Sequence, residues 1–269
     1  YSWLATKYAK KMKKLLVLMS DKYTYPNLFN KLMIRMIDLL GFSKRVQASS
    51  KKIISHGSET TRFLKSRGCD ATKIVELPIG VNISDFPNKP SYPKRKKINL
   101  ITVARFIPHK ALDILLLAIM DIKNIHLTII GKGHLEKNIT NMIKKNNLSN
   151  RITIIKHVSH KNLWKSFHKS DIYICSSRRE VASTTIPEAM SSGLPIITTD
   201  SGSSKDFIIE GYNGFLFESE NYEDLNQKIN VFIEKPTLIK ELGINSRIRA
   251  EKYLNWDALI KKYEDVIKK

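Results

Sequence analysis

Several features that would assign a protein to a common class are missing from this 269-residue sequence. Its two cysteines, Cys69 and Cys175, lie far apart and lack the spacing of a metal site or a disulfide framework. No apolar run reaches the roughly 18 residues that a membrane-spanning helix needs. Because nothing indicates disulfide pairing, we expect a cytoplasmic compartment.

Acidic residues are scarce: 25 Asp and Glu stand against 46 Lys and Arg, a formal net charge of +21. Such a charge favours anionic partners, namely nucleic acid, an acidic membrane surface or phosphorylated ligands, although a solvated lysine-rich surface is the alternative. Nucleic-acid binding is not expected, because no basic strand face carries interleaved aromatics and there is neither a helix-turn-helix pattern nor zinc-ligand spacing.

Strand and helix patterns alternate regularly over residues 98–250. The strand segments are nearly continuous runs of Ile, Leu, Val and Thr, which is typical of strands buried on both faces. This alternation predicts an α/β fold with a doubly wound parallel sheet, whose ligands bind beyond the carboxyl ends of the strands. Upstream, the patterns predict a strand within 13–21, an amphipathic helix over 27–41, a strand and a helix within 51–68, a strand within 73–86 and a linker over 87–97.

Two candidate ligand-binding turns follow predicted strands. In VARFIPHK (103–110), Arg105 and Lys110 flank a proline-containing turn and could clamp a diphosphate, or could be ordinary solvated charges. In IIGKGHLEKNI (129–139), Gly131 and Gly133 would let the backbone approach a ligand, or could form a plain tight turn. The third glycine and the acid of a dinucleotide-binding fingerprint are absent.

The segment SRREVASTTIPEAMSSG (177–193) places Glu180 and Glu188 with seven residues between them, across a loop that becomes a helix. Thr185 to Glu188 has the spacing of a capping box, so Glu188 could cap its own helix. Alternatively, free backbone amides near 183–185 would bind an anion, Glu188 would accept hydrogen bonds from a ribose and Glu180 would reach a reacting sugar. The spacing alone does not decide between these interpretations.

Taken together and in this order, these segments resemble the GT-B glycosyltransferases, specifically the retaining family 4 type. The matching segments are VARFIPHKALDILLLA, IIGKGHLEKNI, the Glu-x7-Glu of EVASTTIPE, EAMSSGLPIITTDSGSSKDFI and EGYNGFLF, with LPIGVNISDF (77–86) similar to the domain-joining segment and Trp256 in the C-terminal helix pattern. The resemblance runs from about residue 50 to the end of the chain.

The resemblance implies two Rossmann-like domains, with the nucleotide-sugar bound by the C-terminal one and the acceptor mostly by the N-terminal one. Arg105, Lys110 and the amides of Ser183, Thr184 and Thr185 would hold the diphosphate, with Gly133 in the adjoining turn. Glu188 would bind the ribose, and His157 and Val158 would lie near the base. Glu180 would contact the transferred sugar. The reaction would retain anomeric configuration without a metal or other cofactor, from a UDP- or GDP-linked donor to a glycan or lipid-linked acceptor, as in a hexosyltransferase of envelope glycan synthesis.

The sequence departs from the family pattern at three places. Val181-Ala182-Ser183 replaces the usual Gly-Phe-Gly, Ile79-Gly80-Val81-Asn82 replaces Asn-Gly-Val-Asp, and Ala111 replaces the glycine after the clamp lysine. A non-catalytic donor-binding module and a nucleotide-sugar epimerase are therefore retained as alternatives.

The resemblance also sets the expected domain organisation. We expect an incomplete acceptor-side domain over 1–86, the linker over 87–97, the donor domain over 98–250 and a C-terminal helix over 251–269 that packs back on the first domain. The chain opens on Tyr1 and its first domain is about half the expected length, so we expect a truncated protein. By itself it would bind the donor, and catalysis would belong to the full-length protein. Residues 27–52 are basic and amphipathic; they would contact an anionic membrane at its cytoplasmic face, or supply a core helix.

Overall fold

The computed structural model describes residues 17–20 and 49–268, apart from residues 94, 179 and 181, and for 17–20 it describes only the backbone. The helix predicted over 27–41 and most of the basic segment 27–52 lie outside the described residues. The chain divides into two compact units, one formed by Tyr1–Ile79 with Leu259–Lys269 and the other by Gly80–Ala258. The domain boundaries expected from the sequence stay a prediction.

The first unit contains a parallel sheet whose described strands follow the order β1-β2-β3. A small core of Ile53, Leu64 and Cys69, with Ile74 packed against it, joins this sheet to helix α1. Tyr263, on the final helix α8, donates a hydrogen bond to the Pro78 carbonyl at 3.2 Å. The elements are β1 (Val17–Ser20), β2 (Lys52–Ser55), α1 (Ser58–Ser66), β3 (Ile74–Glu76) and α8 (Trp256–Lys268).

The second unit contains a six-stranded parallel sheet in the order β6-β5-β4-β7-β8-β9. Strand order reverses between β4 and β7, so the loops after these two strands meet at the topological switch point, where such sheets bind ligands. The strands are β4 (Ile98–Val103), β5 (Ile125–Ile130), β6 (Ile152–Ile155), β7 (Ile172–Cys175), β8 (Ile196–Thr199) and β9 (Gly214–Phe217). The helices are α2 (Leu112–Ala118), α3 (Glu136–Lys145), α4 (His160–His168), α5 (Thr185–Ser191), α6 (Tyr222–Glu234) and α7 (Thr237–Tyr253).

Both faces of the central strands are buried, which explains their continuous apolar sequence. Leu100 and Ile101 are adjacent on β4 and therefore face opposite sides of the sheet, and neither side chain is exposed. Leu100 belongs to the core that includes residues of α2, α3 and α6, and Ile101 to the core that includes residues of α4, α5 and α7. The α/β class with a doubly wound parallel sheet is confirmed.

Residues 86–97 carry no helix or strand among those described, yet they pack within the second unit. The buried Lys89 donates to the Ser170 carbonyl at 2.5 Å, and the Tyr92 hydroxyl donates to the Gly193 carbonyl at 2.8 Å. The pattern SSKDFII (203–209) predicts a short helix, and the structure has a 3₁₀ helix there, Ser204–Phe207. In the described part of the chain, no helix combines the length and apolarity needed to cross a membrane.

Candidate functional site

Loops beyond the carboxyl ends of the second unit's strands enclose a cleft of about 410 Å³. Eight of the ten residues predicted for the site line it: Arg105, Lys110, His157, Val158, Glu180, Ser183, Thr184 and Thr185. The remaining two, Gly133 and Glu188, are not among the lining residues. The sheet order thus gathers into one cleft loops that lie up to about 80 residues apart in sequence.

Lys110 and Glu180 form an ion pair at the centre of this site. The Lys110 ammonium lies 2.5 Å from Glu180 Oε2, and the Ser177 hydroxyl donates to the same oxygen at 3.0 Å. Their side chains are only 19% and 12% exposed, so water screens the pair weakly. Lys110 is the last residue of a 3₁₀ turn that begins at Pro108, and the next residue, Ala111, has left-handed backbone with φ of 46°. This is the position where the resembled family carries glycine.

The backbone of Glu180 is held by the loop after β8. Ser203 donates its backbone N–H to the Glu180 carbonyl at 2.7 Å, and Glu180 pairs with Gly202 in a parallel bridge. Gly202 has φ of +76°, and a Cβ there would lie 2.2 Å from the Glu180 carbonyl oxygen. Sequence reasoning missed Gly202, although its position just after a strand, within SGSS, is a usable signal.

Arg105, Lys132 and Lys156 bring further positive charge to the cleft. Arg105 is exposed, and its side chain makes no hydrogen bond or ion pair with any described residue. Lys156 pairs with Glu136 at 2.6 Å, and Lys132 is exposed. Together with Lys110, these are four cations among the described lining residues, which include a single acidic residue, Glu180, so the cleft attracts anions. The sequence analysis did not identify Lys132 or Lys156.

The start of α5 differs from the capping box considered above. Thr184 occupies the N-cap position without a side-chain cap bond, and Ser183 Oγ accepts from the Ile186 N–H at 3.2 Å instead. Thr185 uses its hydroxyl for a 2.7 Å hydrogen bond with the Tyr173 hydroxyl. The backbone N–H groups of Ser183, Thr184 and Thr185 donate to no residue that the structure describes. Among the described residues, nothing therefore competes with a ligand for these three groups.

The Glu188 carboxylate bonds to His160 and not to the backbone at the start of its own helix, so the helix-capping interpretation is wrong. Its Oε1 lies 2.9 Å from His160 Nε2, and its side chain is 9% exposed. Burial raises the pKa of the Glu188 carboxyl above its usual value, and the hydrogen bond with His160 offsets part of that rise. His160 also contacts Phe86 edge-on, with ring centroids 5.2 Å apart. Glu188 lies one helical turn beyond Thr184, which lines the cleft.

Gly131 and Gly133 permit a close approach of two loops. A Cβ at Gly131 would lie 2.0 Å from the Ala104 carbonyl oxygen, and one at Gly133 would lie 2.5 Å from the Phe106 carbonyl oxygen. The glycines therefore seat the turn after β5 against the loop that carries Arg105. Gly131 lines the cleft and Gly133 does not. The expectation that their small size admits a ligand stays a prediction.

Within the described residues, no group of three or more His, Cys, Asp and Glu side chains could hold a metal ion. Cys69 and Cys175 are both free and buried. Burial raises the pKa of the Cys175 thiol, as it does that of Cys69, so both favour the unreactive protonated form.

Residues 85–249, more than half of the chain, match the family model described as "Glycosyl transferases group 1". An uncharacterised glycosyltransferase of Methanocaldococcus jannaschii, MJ1178, is 34% identical over 231 residues, which cover 84% of this chain and 62% of that protein. The GtfA subunit of the UDP-N-acetylglucosamine–peptide N-acetylglucosaminyltransferase of Streptococcus agalactiae is 28% identical over 60% of this chain and 32% of its own length. This chain thus spans about a third to two thirds of these relatives.

Solved structures show the same fold. The structure of Anabaena HepE in complex with UDP superposes with a TM-score of 0.87, covering 99% of this chain and 76% of that one at 17% identity. The sucrose-phosphate synthase of Thermosynechococcus elongatus superposes with a TM-score of 0.85 and covers 99% of this chain and 71% of its own, at 18% identity. The GT-B fold class expected from the resemblance is confirmed.

Proposed function

This chain belongs to the group 1 glycosyl transferases, and we propose that it transfers a hexose from a UDP-linked donor to a glycan or lipid-linked acceptor with retention of configuration. The observation that carries the proposal is the cationic cleft beyond the strand ends, with the Lys110–Glu180 ion pair at its centre. UDP is preferred to GDP because HepE is described in complex with UDP and the streptococcal relative is named for a UDP-linked donor.

The diphosphate would bind between Arg105 and Lys110. The Arg105 side chain has no partner among the described residues that it would have to release on binding. Lys110 is already held within the cleft by Glu180. The open N–H groups of Ser183, Thr184 and Thr185 would donate to the same phosphate oxygens. These groups would stabilise the negative charge that develops on the leaving diphosphate as the glycosidic bond breaks, without requiring a metal ion.

Glu180 would orient the donor sugar. Its Oε2 already receives hydrogen bonds from Lys110 and Ser177, which lowers its nucleophilicity and suits an acceptor of sugar hydroxyl protons. The acceptor hydroxyl would then attack from the face that the diphosphate leaves, and a diphosphate oxygen would take its proton. A covalent glycosyl adduct on Glu180 in a trapped reaction would refute this role.

The nucleoside would extend along the wall formed by His157 and Val158. These residues follow β6 and line the same cleft as the proposed diphosphate site. Glu188 would bind the ribose from its position one turn beyond Thr184, exchanging part of its hydrogen bonding with His160 for ribose hydroxyls. The buried carboxylate is well suited to that exchange because few waters compete for it.

Thermal unfolding with UDP, GDP, ADP and CMP tests the donor site. A ligand at 100 times its Kd should add about 2.7 kcal/mol to the free energy of unfolding, and we expect UDP to give the largest rise in Tm. Lys110→Met and Glu188→Ala should reduce that rise. Lys145→Met, which removes an equal charge from the exposed side of α3, should not. If none of the four nucleotides shifts the Tm of a cooperatively folded protein, the donor-site proposal fails.

Turnover distinguishes transfer from the two alternatives. UDP release that depends on an acceptor, with the product anomer matching the donor anomer by NMR and no loss of rate in EDTA, is the result expected of the complete protein. Nucleotide binding without turnover would instead support a non-catalytic donor-binding module. Isomerised donor without transfer would support an epimerase.

A further inference from the structure

The Arg178 side chain joins three separate segments of the second unit. Its Nη2 lies 2.8 Å from Asp113 Oδ2, its Nε lies 2.7 Å from Glu220 Oε1, and its Nη1 donates to the Pro108 carbonyl. The guanidinium thus connects the turn after β4, the start of α2 and the loop after β9. Arginine suits this role because its planar group presents several donors in fixed directions.

The backbone of Arg178 makes a second set of connections. Its N–H donates to the His109 carbonyl at 3.0 Å, and its own carbonyl accepts from the Ser201 and Ser219 hydroxyls at 2.5 Å and 3.0 Å. His109 directly precedes Lys110. The side chain and the backbone of Arg178 are therefore both hydrogen-bonded to the turn that contains Lys110.

That turn also borders a cavity. The cavity has a volume of about 240 Å³ and is lined in part by Phe106, Ile107, Pro108 and Arg178 itself. Ala111, at the end of the turn, has φ of 46°, a left-handed conformation that a non-glycine residue adopts only when its surroundings hold it. Besides Arg178, the Ser176 hydroxyl is bonded to the turn, donating to the Lys110 carbonyl at 3.0 Å.

We infer that Arg178 is a positioning residue of the donor site, acting through Lys110. Arg178 does not line the cleft, but it fixes the turn of Lys110 to the strand-end segment that leads, two residues later, to Glu180. The distance between the Lys110 ammonium and the Glu180 carboxylate is therefore set by Arg178. This inference rests on the proposed function, because it concerns the affinity of the cleft for a nucleoside diphosphate.

A double-mutant cycle with UDP as the probe tests the inference. Calorimetry would give the UDP Kd of the wild type, Arg178→Lys, Lys110→Met and the double variant. Arg178→Lys keeps the positive charge but cannot reproduce the three hydrogen bonds in their fixed directions. We therefore expect it to bind UDP about tenfold more weakly. In the Lys110→Met background, the same change should weaken binding by less than about twofold, because the residue through which Arg178 acts is gone.

Arg151→Lys is the matched control. The Arg151 guanidinium also makes three hydrogen bonds, to the backbone carbonyls of Ile119, Met120 and Ile122, but Arg151 does not line the cleft. We expect its replacement to lower the Tm and to leave the UDP Kd within about twofold of wild type. Asp113→Asn, which weakens one partner of Arg178, provides a second variant and should weaken UDP binding in the same direction.

Each outcome either supports or overturns the inference. An unchanged Kd in Arg178→Lys and Asp113→Asn, a full tenfold loss that persists in the Lys110→Met background, or an equal loss in Arg151→Lys would overturn it and leave the proposed function standing. A wild type that binds neither UDP nor GDP would overturn the proposed function, and this inference with it.

Discussion

Replacing Gly202 by alanine should destabilise the second unit and displace Glu180. At φ of +76°, the left-handed backbone costs a non-glycine residue about 1 to 2 kcal/mol. The new Cβ would also lie 2.2 Å from the carbonyl oxygen of Glu180 and 2.7 Å from its backbone nitrogen, so these backbones must move apart. Overpacking of this kind costs about 1 to 3 kcal/mol, which brings the expected loss to about 2 to 5 kcal/mol.

Gly211→Ala separates the two contributions. Gly211 has nearly the same backbone, with φ of +72°, but nothing lies within 4 Å of the Cβ that alanine would add. We therefore expect Gly211→Ala to cost only the backbone contribution, about 1 to 2 kcal/mol. Denaturant unfolding of both variants measures the difference, which isolates the contact with Glu180.

Nucleotide affinity completes the experiment. Displacing Glu180 should break the hydrogen bond from the Ser203 N–H and disturb the pair with Lys110, so UDP binding should weaken in Gly202→Ala. Gly211→Ala should bind UDP as the wild type does. Equal destabilisation by the two substitutions, or unchanged UDP affinity in Gly202→Ala, would refute the inferred role of Gly202.

Three further predictions concern charge. Burial lowers the pKa of Lys89 from its ordinary 10.5 to about 8, so between these two values the unfolded chain binds more protons than the folded one. The free energy of unfolding should therefore rise by about 2 kcal/mol between pH 8 and about 9.5. Lys89→Met should remove most of that rise, as measured by denaturant titrations at each pH. Burial raises the pKa of Glu188, so the free energy of unfolding should fall as pH rises from the ordinary pKa of a glutamate to the raised one. Glu188→Gln should remove this decline, and identical pH–stability profiles for the variant and the wild type would contradict the prediction. Lys132→Met should weaken UDP binding two- to threefold by calorimetry, whereas Lys137→Met on the neighbouring α3 should not.

The fold of the second unit could be predicted because its central strands are buried on both faces. β8 consists of Ile and Thr only, and β4 departs from an apolar or Thr sequence only at Asn99. Asp200, Ser201 and Gly202 mark the end of β8. The expected helix over 203–209 shrinks to a 3₁₀ turn of four residues, since Ser204 directs its hydroxyl to the Thr199 and Ser201 carbonyls. Local hydrogen bonding of this kind competes with helix formation.

The candidate site could be predicted only where a loop contains residues whose type and position after a predicted strand indicate ligand binding. Arg105, Lys110 and the two glutamates stand just after predicted strands, and the parallel sheet brings such positions to one edge. The pairing of Glu180 with Lys110 could not be read from the sequence, because it depends on β4 lying beside β7. The partners of Arg178 depend likewise on the adjacency of loops from three different strands.

The most direct test of the donor site compares UDP, UMP and uridine by calorimetry on the wild type and on Lys110→Met. If the cleft recognises the diphosphate through Arg105 and Lys110, affinity should fall steeply from UDP to uridine in the wild type. Lys110→Met should reduce the difference in affinity between UDP and uridine, because it weakens UDP binding and leaves uridine binding nearly unchanged. Equal affinities for UDP and uridine, or a Lys110→Met protein that still prefers UDP as strongly as the wild type, would contradict a diphosphate site in this cleft.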